Sequence, residues 1–292
     1  MEQLNTNVLG FGDNVVDLYE NSHIMYPGGN CVNMCTYSSM QNVKRSAYMG
    51  YFGNDEIAEF VIDVLHKLKI ETVKCKQLEG ANGWSKCTLI DGDRTFGDYN
   101  HGGVRGKTPY VLDRFDLEYM KQFDFVHSGN YCYTESQLEK MKNAGIKISF
   151  DFSDDSSREY YKSYAPYVTY AFCSFDGTDE EAKNHLKFVH SLGPSIASLT
   201  RGGKGSILYD GNEFYVQPAT KIKEQVDTMG AGDSFITTFM IHFVHHTKAG
   251  MKQSDAIHRA LQAAADFASR ICETNGSFGY GTAYTDDIVK YE

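Results

Sequence analysis

Asp227-Thr228-Met229-Gly230-Ala231-Gly232-Asp233 runs directly into an apolar helical pattern. Gly230, Ala231 and Gly232 carry little or no side chain, so their backbone N–H groups can approach an anion closely at the positive end of a helix. Asp233 falls in the first turn beside that anion hole. A carboxylate there can accept a hydroxyl proton while the N–H groups stabilise charge on a transferring phosphoryl group. The bland alternative is an aspartate that merely caps a helix after a glycine turn. The helix itself spans Gly232–Thr247, with Phe235, Ile236, Phe239, Met240, Phe243 and Val244 on one stripe and Gly250 as its stop. A second helix, Ser254–Glu273, begins with a serine cap and buries Ile257, Leu261, Ala264, Ala268 and Ile271.

Upstream, the chain alternates strand and helix. Val8–Gly12, Phe123–His127, Ile146–Phe152, Val168–Cys173 and Ser195–Thr200 read as short buried strands. Ser206–Tyr209 and Phe214–Gln217 flank a hairpin turn. Asn54–Leu68 reads as a helix capped by Asn54, with Ile57, Phe60, Val61, Val64, Leu65 and Leu68 on one face. This rhythm predicts an α/β fold with a mostly parallel central sheet flanked by helices, and ligands outside the carboxyl ends of its strands. No linker or repeat divides the chain, so residues 1–292 are read as a single domain. Two segments break the rhythm, about 18–27 and 77–104. The glycines and alternation of the second suggest short strands standing off the main sheet, as a lid, a subunit interface, or both.

Of the 292 residues, 41% are hydrophobic and 23% charged, ordinary values for a globular chain. A net charge of −10 disfavours nucleic acid and anionic membranes as partners. Seven scattered cysteines read as reduced thiols, and no signal or membrane-spanning pattern is visible, so a cytoplasmic protein is expected. Gly10-x-Gly12-x-x-Val15 lacks the third glycine of a dinucleotide fingerprint, and Gly106-Lys107-Thr108 lacks the rest of a P-loop. His242, His245 and His246 have metal-like spacing but no evident further ligand, and read as a solvated helix edge. Tyr160–Tyr170 reads as packing around a strand entry. Asp151, Asp154 and Asp155 follow a strand's carboxyl end, either as a solvated turn or as contacts to Mg²⁺ water or to a substrate amino group.

Asp-Thr-x-Gly-Ala-Gly-Asp is a signature of the ribokinase-like (PfkB-type) carbohydrate kinases, and other segments resemble that family in order along the chain. Gly12–Asp17 (GDNVVD) resembles the family's first strand, whose final aspartate, here Asp17, binds sugar hydroxyls. Gly28-Gly29-Asn30 with Asn33 resembles its GG-x-x-x-N sugar-binding turn. Tyr48–Asp55 resembles the glycine-rich stretch before its next helix, and Thr200–Ser206 its T-x-G-x-x-G-S segment near the nucleotide. The resemblance implies a ribokinase-like fold with a small β-strand lid, using ATP and Mg²⁺. It assigns Asp233 as base, with Asp13, Asp17, Gly28, Gly29, Asn33, Arg94 and Asp98 toward the sugar. Thr200, Gly202, Gly205, Asp227 and Thr228 fall toward the nucleotide.

GDNVVDLY, Asp93–Tyr99 (DRTFGDY), Phe150–Asp154 (FDFSD) and DTMGAGDSF resemble, within the family, the fructoselysine 6-kinases. That implies phosphorylation at O6 of a fructose joined to the ε-amino group of lysine. Fructose, a nucleoside or another fructosamine are rival acceptors, and a non-catalytic sensor is a rival of another class. Where many relatives carry Asn-x-x-Glu, this chain has Ser174-Phe175-Asp176-Gly177 and then Glu180 and Glu181, leaving Ser174 and Glu181 as substitutes toward Mg²⁺. Asn275–Tyr284 lacks a clear match to the family's monovalent-cation loop, so K⁺ dependence stays open. Lid strands in this family often pair across a homodimer.

Overall fold

Neighbouring residues of the long strands pack on opposite sides of one sheet, as the two-residue period of a strand requires. The computed structural model describes residues 2–90, 92–155 and 157–289. The chain begins with β1 (Leu4–Gly12), β2 (Val15–Tyr19), β3 (Ile24–Gly28), α1 (Asn30–Met40), β4 (Val43–Phe52) and α2 (Glu56–Lys67). It continues with β5 (Lys76–Gln77), β6 (Gly83–Ile90), β7 (Asp93–Tyr99), α3 (Val104–Lys107), α4 (Arg114–Met120), β8 (Phe125–Gly129), α5 (Glu135–Asn143) and β9 (Ile148–Asp151). After α6 (Arg158–Tyr164) come β10 (Tyr170–Ser174), α7 (Asp179–Ser191), β11 (Ile196–Thr200), β12 (Ser206–Tyr209) and β13 (Phe214–Gln217). Last are α8 (Ala231–Lys248), α9 (Gln253–Ile271) and β14 (Thr282–Ala283).

The main sheet has nine strands in the order β13-β12-β11-β10-β9-β8-β1-β4-β5. Its strands all run the same way except β12, which is antiparallel to both of its neighbours, β11 and β13. Leu9, Phe11, Val126, Ile148, Phe150, Ala171 and Leu199 pack under α4–α7, while Val8, Phe125, Phe172, Ile196 and Leu208 pack against α8 and α9. The expected α/β architecture is therefore present, a ribokinase-like fold. The carboxyl ends of β1, β8, β9, β10 and β11 share one edge, where the first turn of α8 is joined to the end of β9 through Asn30, which donates to both Asp233 and Asp151.

A second sheet of five strands, β14-β3-β2-β6-β7, stands off the first. Its Val16, Leu18, Met25 and Trp84 pack with Tyr37 of α1 and with Ile57, Val61 and Leu65 of α2. The strands start three residues before the expected 18–27 segment and recruit β14 from the far end of the chain.

Several expectations need correction. Asp17 does not end the first strand; β1 stops at Gly12, and Asp17 lies on β2 of the second sheet. The cap of α2 is Asp55, which accepts from the Ala58 N–H, because Asn54 turns its side chain to the Gly80 N–H. α9 begins at Gln253 without a side-chain cap, so Ser254 is already inside it. α1 replaces the expected turn after Gly29. No described helix is long and apolar enough to cross a membrane.

Candidate active site

α8 opens at Gly230, which is held in the left-handed region at φ 74°. A Cβ there would lie 2.2 Å from Tyr37 Oη and 2.9 Å from Ser277 Oγ, so glycine is required on both counts. Gly232 differs: a Cβ would meet nothing within 4 Å, and its open side faces the cleft. Asp233 follows in the first turn, half-buried. Its Oδ1 accepts from Asn30 Nδ2 at 2.8 Å and its Oδ2 from Asn33 Nδ2 at 2.6 Å. Burial raises its pKa, opposed by the Asn33 hydrogen bond.

Asn30 ties the site together. Its Nδ2 also donates to Asp151 Oδ2 at 3.2 Å, which uses both amide hydrogens. Its Oδ1 must then accept, from His127 Nε2 at 2.7 Å, leaving His127 Nδ1 to accept from Ser149 Oγ at 2.9 Å. Burial lowers the His127 pKa to about 3, consistent with that neutral tautomer. Asp13 fixes the start of α1, accepting from the Asn30 N–H and the Cys31 N–H, both at 2.8 Å. Burial, then the Asp233 charge, pushes Asp151 up to about 7.

The acceptors expected toward the sugar converge here. On β2, Val16 and Leu18 turn into the core, so Asp17 faces the opposite way, toward Asp233 and Asp227. Asp17 is 5% exposed and has no hydrogen-bond partner among the described residues. Burial raises its pKa to about 7, against the pull of Arg94. Asn33, 3% exposed, likewise leaves its Oδ1 unpartnered. Gly28 and Gly29 make room for these carboxylates: a Cβ on the first would lie 2.6 Å from Asp17 Oδ2, and on the second 2.9 Å from Asp13 Oδ2. Arg94 reaches the loop before α8 instead, donating through Nη1 to Thr228 Oγ1 at 3.0 Å. Asp98 stays exposed on β7 and is not brought into the site.

A cleft of about 260 Å³ continues from Thr228, Ala231 and Gly232 to Thr200, Gly202 and Gly205. Pro218, Ile222, Phe235, Ala265, Ala268 and Cys272 give it an apolar wall. Asp227 does not line it. That carboxylate is fully buried, accepting from Tyr19 Oη, the Met229 N–H and the Gly276 N–H, and so it braces the loop. Glu181 closes the capping box of α7 with Thr178, which already occupies its Oε2. Asn30 and His127 were not singled out in the sequence. The signal for Asn30 was its place between the glycine pair and Asn33; His127 had none, since one histidine in an apolar strand reads as core.

Residues 2–277 match the pfkB family carbohydrate kinase. The chain is 35% identical over 279 residues to the fructosamine kinase FrlD of Bacillus subtilis (strain 168), covering 95% of this chain and 94% of that one. It is 29% identical over 254 residues to the fructoselysine 6-kinase of Escherichia coli (strain K12), covering 87% and 94%. The ribokinase of Giardia lamblia superposes with a TM-score of 0.79 at 16% identity, over 94% of this chain and 95% of that one. With the family pattern running nearly end to end and a cleft beside the start of α8, the chain belongs to the pfkB family of carbohydrate kinases and is an ATP-dependent sugar kinase.

Proposed function

We propose that the chain phosphorylates the sugar of a fructosamine at O6, with fructoselysine as the preferred acceptor. The observation that carries a sugar at this position is the pair of buried, unpartnered acceptors, Asp17 and Asn33 Oδ1, beside Asp233. Unmet acceptors at this depth cost free energy that hydroxyl donors would restore. The relatives named for fructosamine and fructoselysine support the finer assignment. So does the concentration of carboxylates, Asp13, Asp17, Asp151 and Asp233, which suits an acceptor carrying a cationic amine.

The adenine of ATP lies against the apolar wall around Ala265 and Ala268, and its phosphates run toward Gly232. Mg²⁺, when present, would offset the charge of those phosphates. Asp151, a half-buried carboxylate linked to Asp233 through Asn30, would hold the ion, which prefers one or two carboxylates plus water. Asn30 and Asn33 aim the Asp233 carboxylate at the sugar hydroxyl. Asp233 takes that proton as the new O–P bond forms and the bond to the β-phosphate oxygen breaks, releasing ADP. The transition state is loose, so positioning outweighs basicity. Arg94 and the N–H groups of the α8 start stabilise charge on the moving phosphoryl group. The second sheet closes over the sugar and excludes water. Its exposed Ile90, Phe96 and Tyr99 favour pairing of two copies there, which light scattering would report as a doubled mass.

A panel of fructoselysine, other fructosamines, fructose and nucleosides, read by ADP release with NMR of each product, tests this. The expected result is highest kcat/KM on fructoselysine with phosphate on O6. Equal or better turnover of free fructose or a nucleoside would reject the fructosamine assignment.

A further inference from the structure

Beside Asp13, one of the sugar-side carboxylates, lie two thiols that phosphoryl transfer does not use. Cys31, in the first turn of α1, and Cys132, after β8, bring their sulfurs within 3.6 Å. Cys132 Sγ also donates to Asp13 Oδ1 at 3.2 Å. Both thiols are fully buried and Asp13 is 6% exposed. The ligand atoms of all three residues lie within 4.8 Å of one another, the one such group of three among the described residues. Gly12 leaves them the space: a Cβ there would stand 2.9 Å from Cys132 Sγ and 3.1 Å from Cys31 Sγ.

Zinc bonds are about 2.3 Å to sulfur and about 2.0–2.2 Å to oxygen, so a tetrahedral site sets its sulfurs about 3.8 Å apart and sulfur to oxygen about 3.5 Å. The separations of 3.6 and 3.2 Å are within a few tenths of an ångström of that geometry. Thiolate ligands select soft and borderline cations over Mg²⁺ or Ca²⁺. Three protein ligands also leave one position open, as in accessible zinc sites.

We propose that Asp13, Cys31 and Cys132 form a binding site for a thiophilic divalent cation of the zinc class, whose occupancy competes with the sugar. Binding releases the two thiol protons to solvent and forms two metal–thiolate bonds and one metal–carboxylate bond through Asp13 Oδ1. Asp13 Oδ2 keeps the Asn30 N–H. The cation thus binds the carboxylate that holds the backbone of Asn30, whose side chain in turn donates to Asp233. The competition, though not the site itself, rests on the placement of Asp13 at the sugar under the proposed function.

The test is a titration of the metal-free, fully reduced protein with Cd²⁺ and with Co²⁺, following thiolate-to-metal absorption. One equivalent should bind. Cys31→Ser and Cys132→Ser should each weaken it by at least roughly 10–100-fold, since loss of even an outer partner costs that much. Cys75→Ser, outside the cluster, should not. Serine at 132 retains a donor for Asp13, and ATP-analogue binding verifies that each variant is folded. Absence of a thiolate band at one equivalent, or a band that survives in both variants, would overturn the site. Saturating sugar should raise the apparent Kd of the cation about tenfold or more; cation binding indifferent to sugar overturns the competition. A chain that binds the cation but phosphorylates no sugar strikes the proposed function and leaves the site standing.

Discussion

Single side chains in this site are held in states that water would not allow. Asp17 has a folded pKa near 7, against an unfolded value near 3.8, chiefly because burial opposes its charge. Its contribution to stability is therefore complete below about pH 4 and is lost as pH rises toward 7. Asp17→Asn should match the ligand-free parent in stability at pH 4. At pH 8 it should exceed it, by on the order of 1–3 kcal/mol, while sugar binding falls. Thermal melts at the two pH values check this, and an advantage confined to pH 4 would reverse the assigned sign. Arg94 was expected toward the sugar, but its hydrogen bond runs to Thr228 in the loop before α8. Arg94→Ala should lower kcat roughly 10²-fold with little change in sugar KM. Steady-state kinetics in which sugar KM rises and kcat holds would return Arg94 to the sugar.

At the scale of elements, α8 carries the chemistry, and its two glycines do different work. Gly230 supplies a left-handed turn against Tyr37, so Gly230→Ala should destabilise the chain by roughly 1–3 kcal/mol. Gly232 lies inside the helix with open space beside it. Gly232→Ala should keep or slightly raise stability, by up to about 1 kcal/mol, yet raise the KM for ATP by filling the phosphate's place. Denaturation curves beside ATP titrations separate the two. A destabilised Gly232→Ala with normal ATP affinity would contradict the division. The helix stripes after Gly230 were legible because one face is apolar. α1 was not, because Cys31 through Ser38 is buried on every side and mixes thiols, amides and hydroxyls, leaving no period to read. The cap errors had different causes: Asn54 gives its side chain to the Gly80 N–H, leaving the cap to Asp55, and α9 starts one residue before Ser254 with no capping side chain.

For the whole molecule, what the sequence could not reveal was distance across the chain. The glycine turn and the carboxylate at the start of α8 could be read together because Asp227–Asp233 is one continuous segment. The partners of that carboxylate come from 200 and 203 residues away, and only the closed sheet brings Asn33 and Asn30 to it. Asp17 was read onto the first strand, whereas it lies on β2, because the break between the two strands is only the polar pair Asp13-Asn14 inside an otherwise apolar run. Asp98 was chosen from a local segment, and β7 turns it to solvent. The most direct test of the account is single-turnover phosphorylation by Asp233→Asn, with ATP and sugar affinities measured alongside. Affinities close to those of the parent with the chemical step slowed roughly 10²–10⁴-fold are predicted; a chemical step at the parent's rate would contradict the assignment of Asp233 as the base.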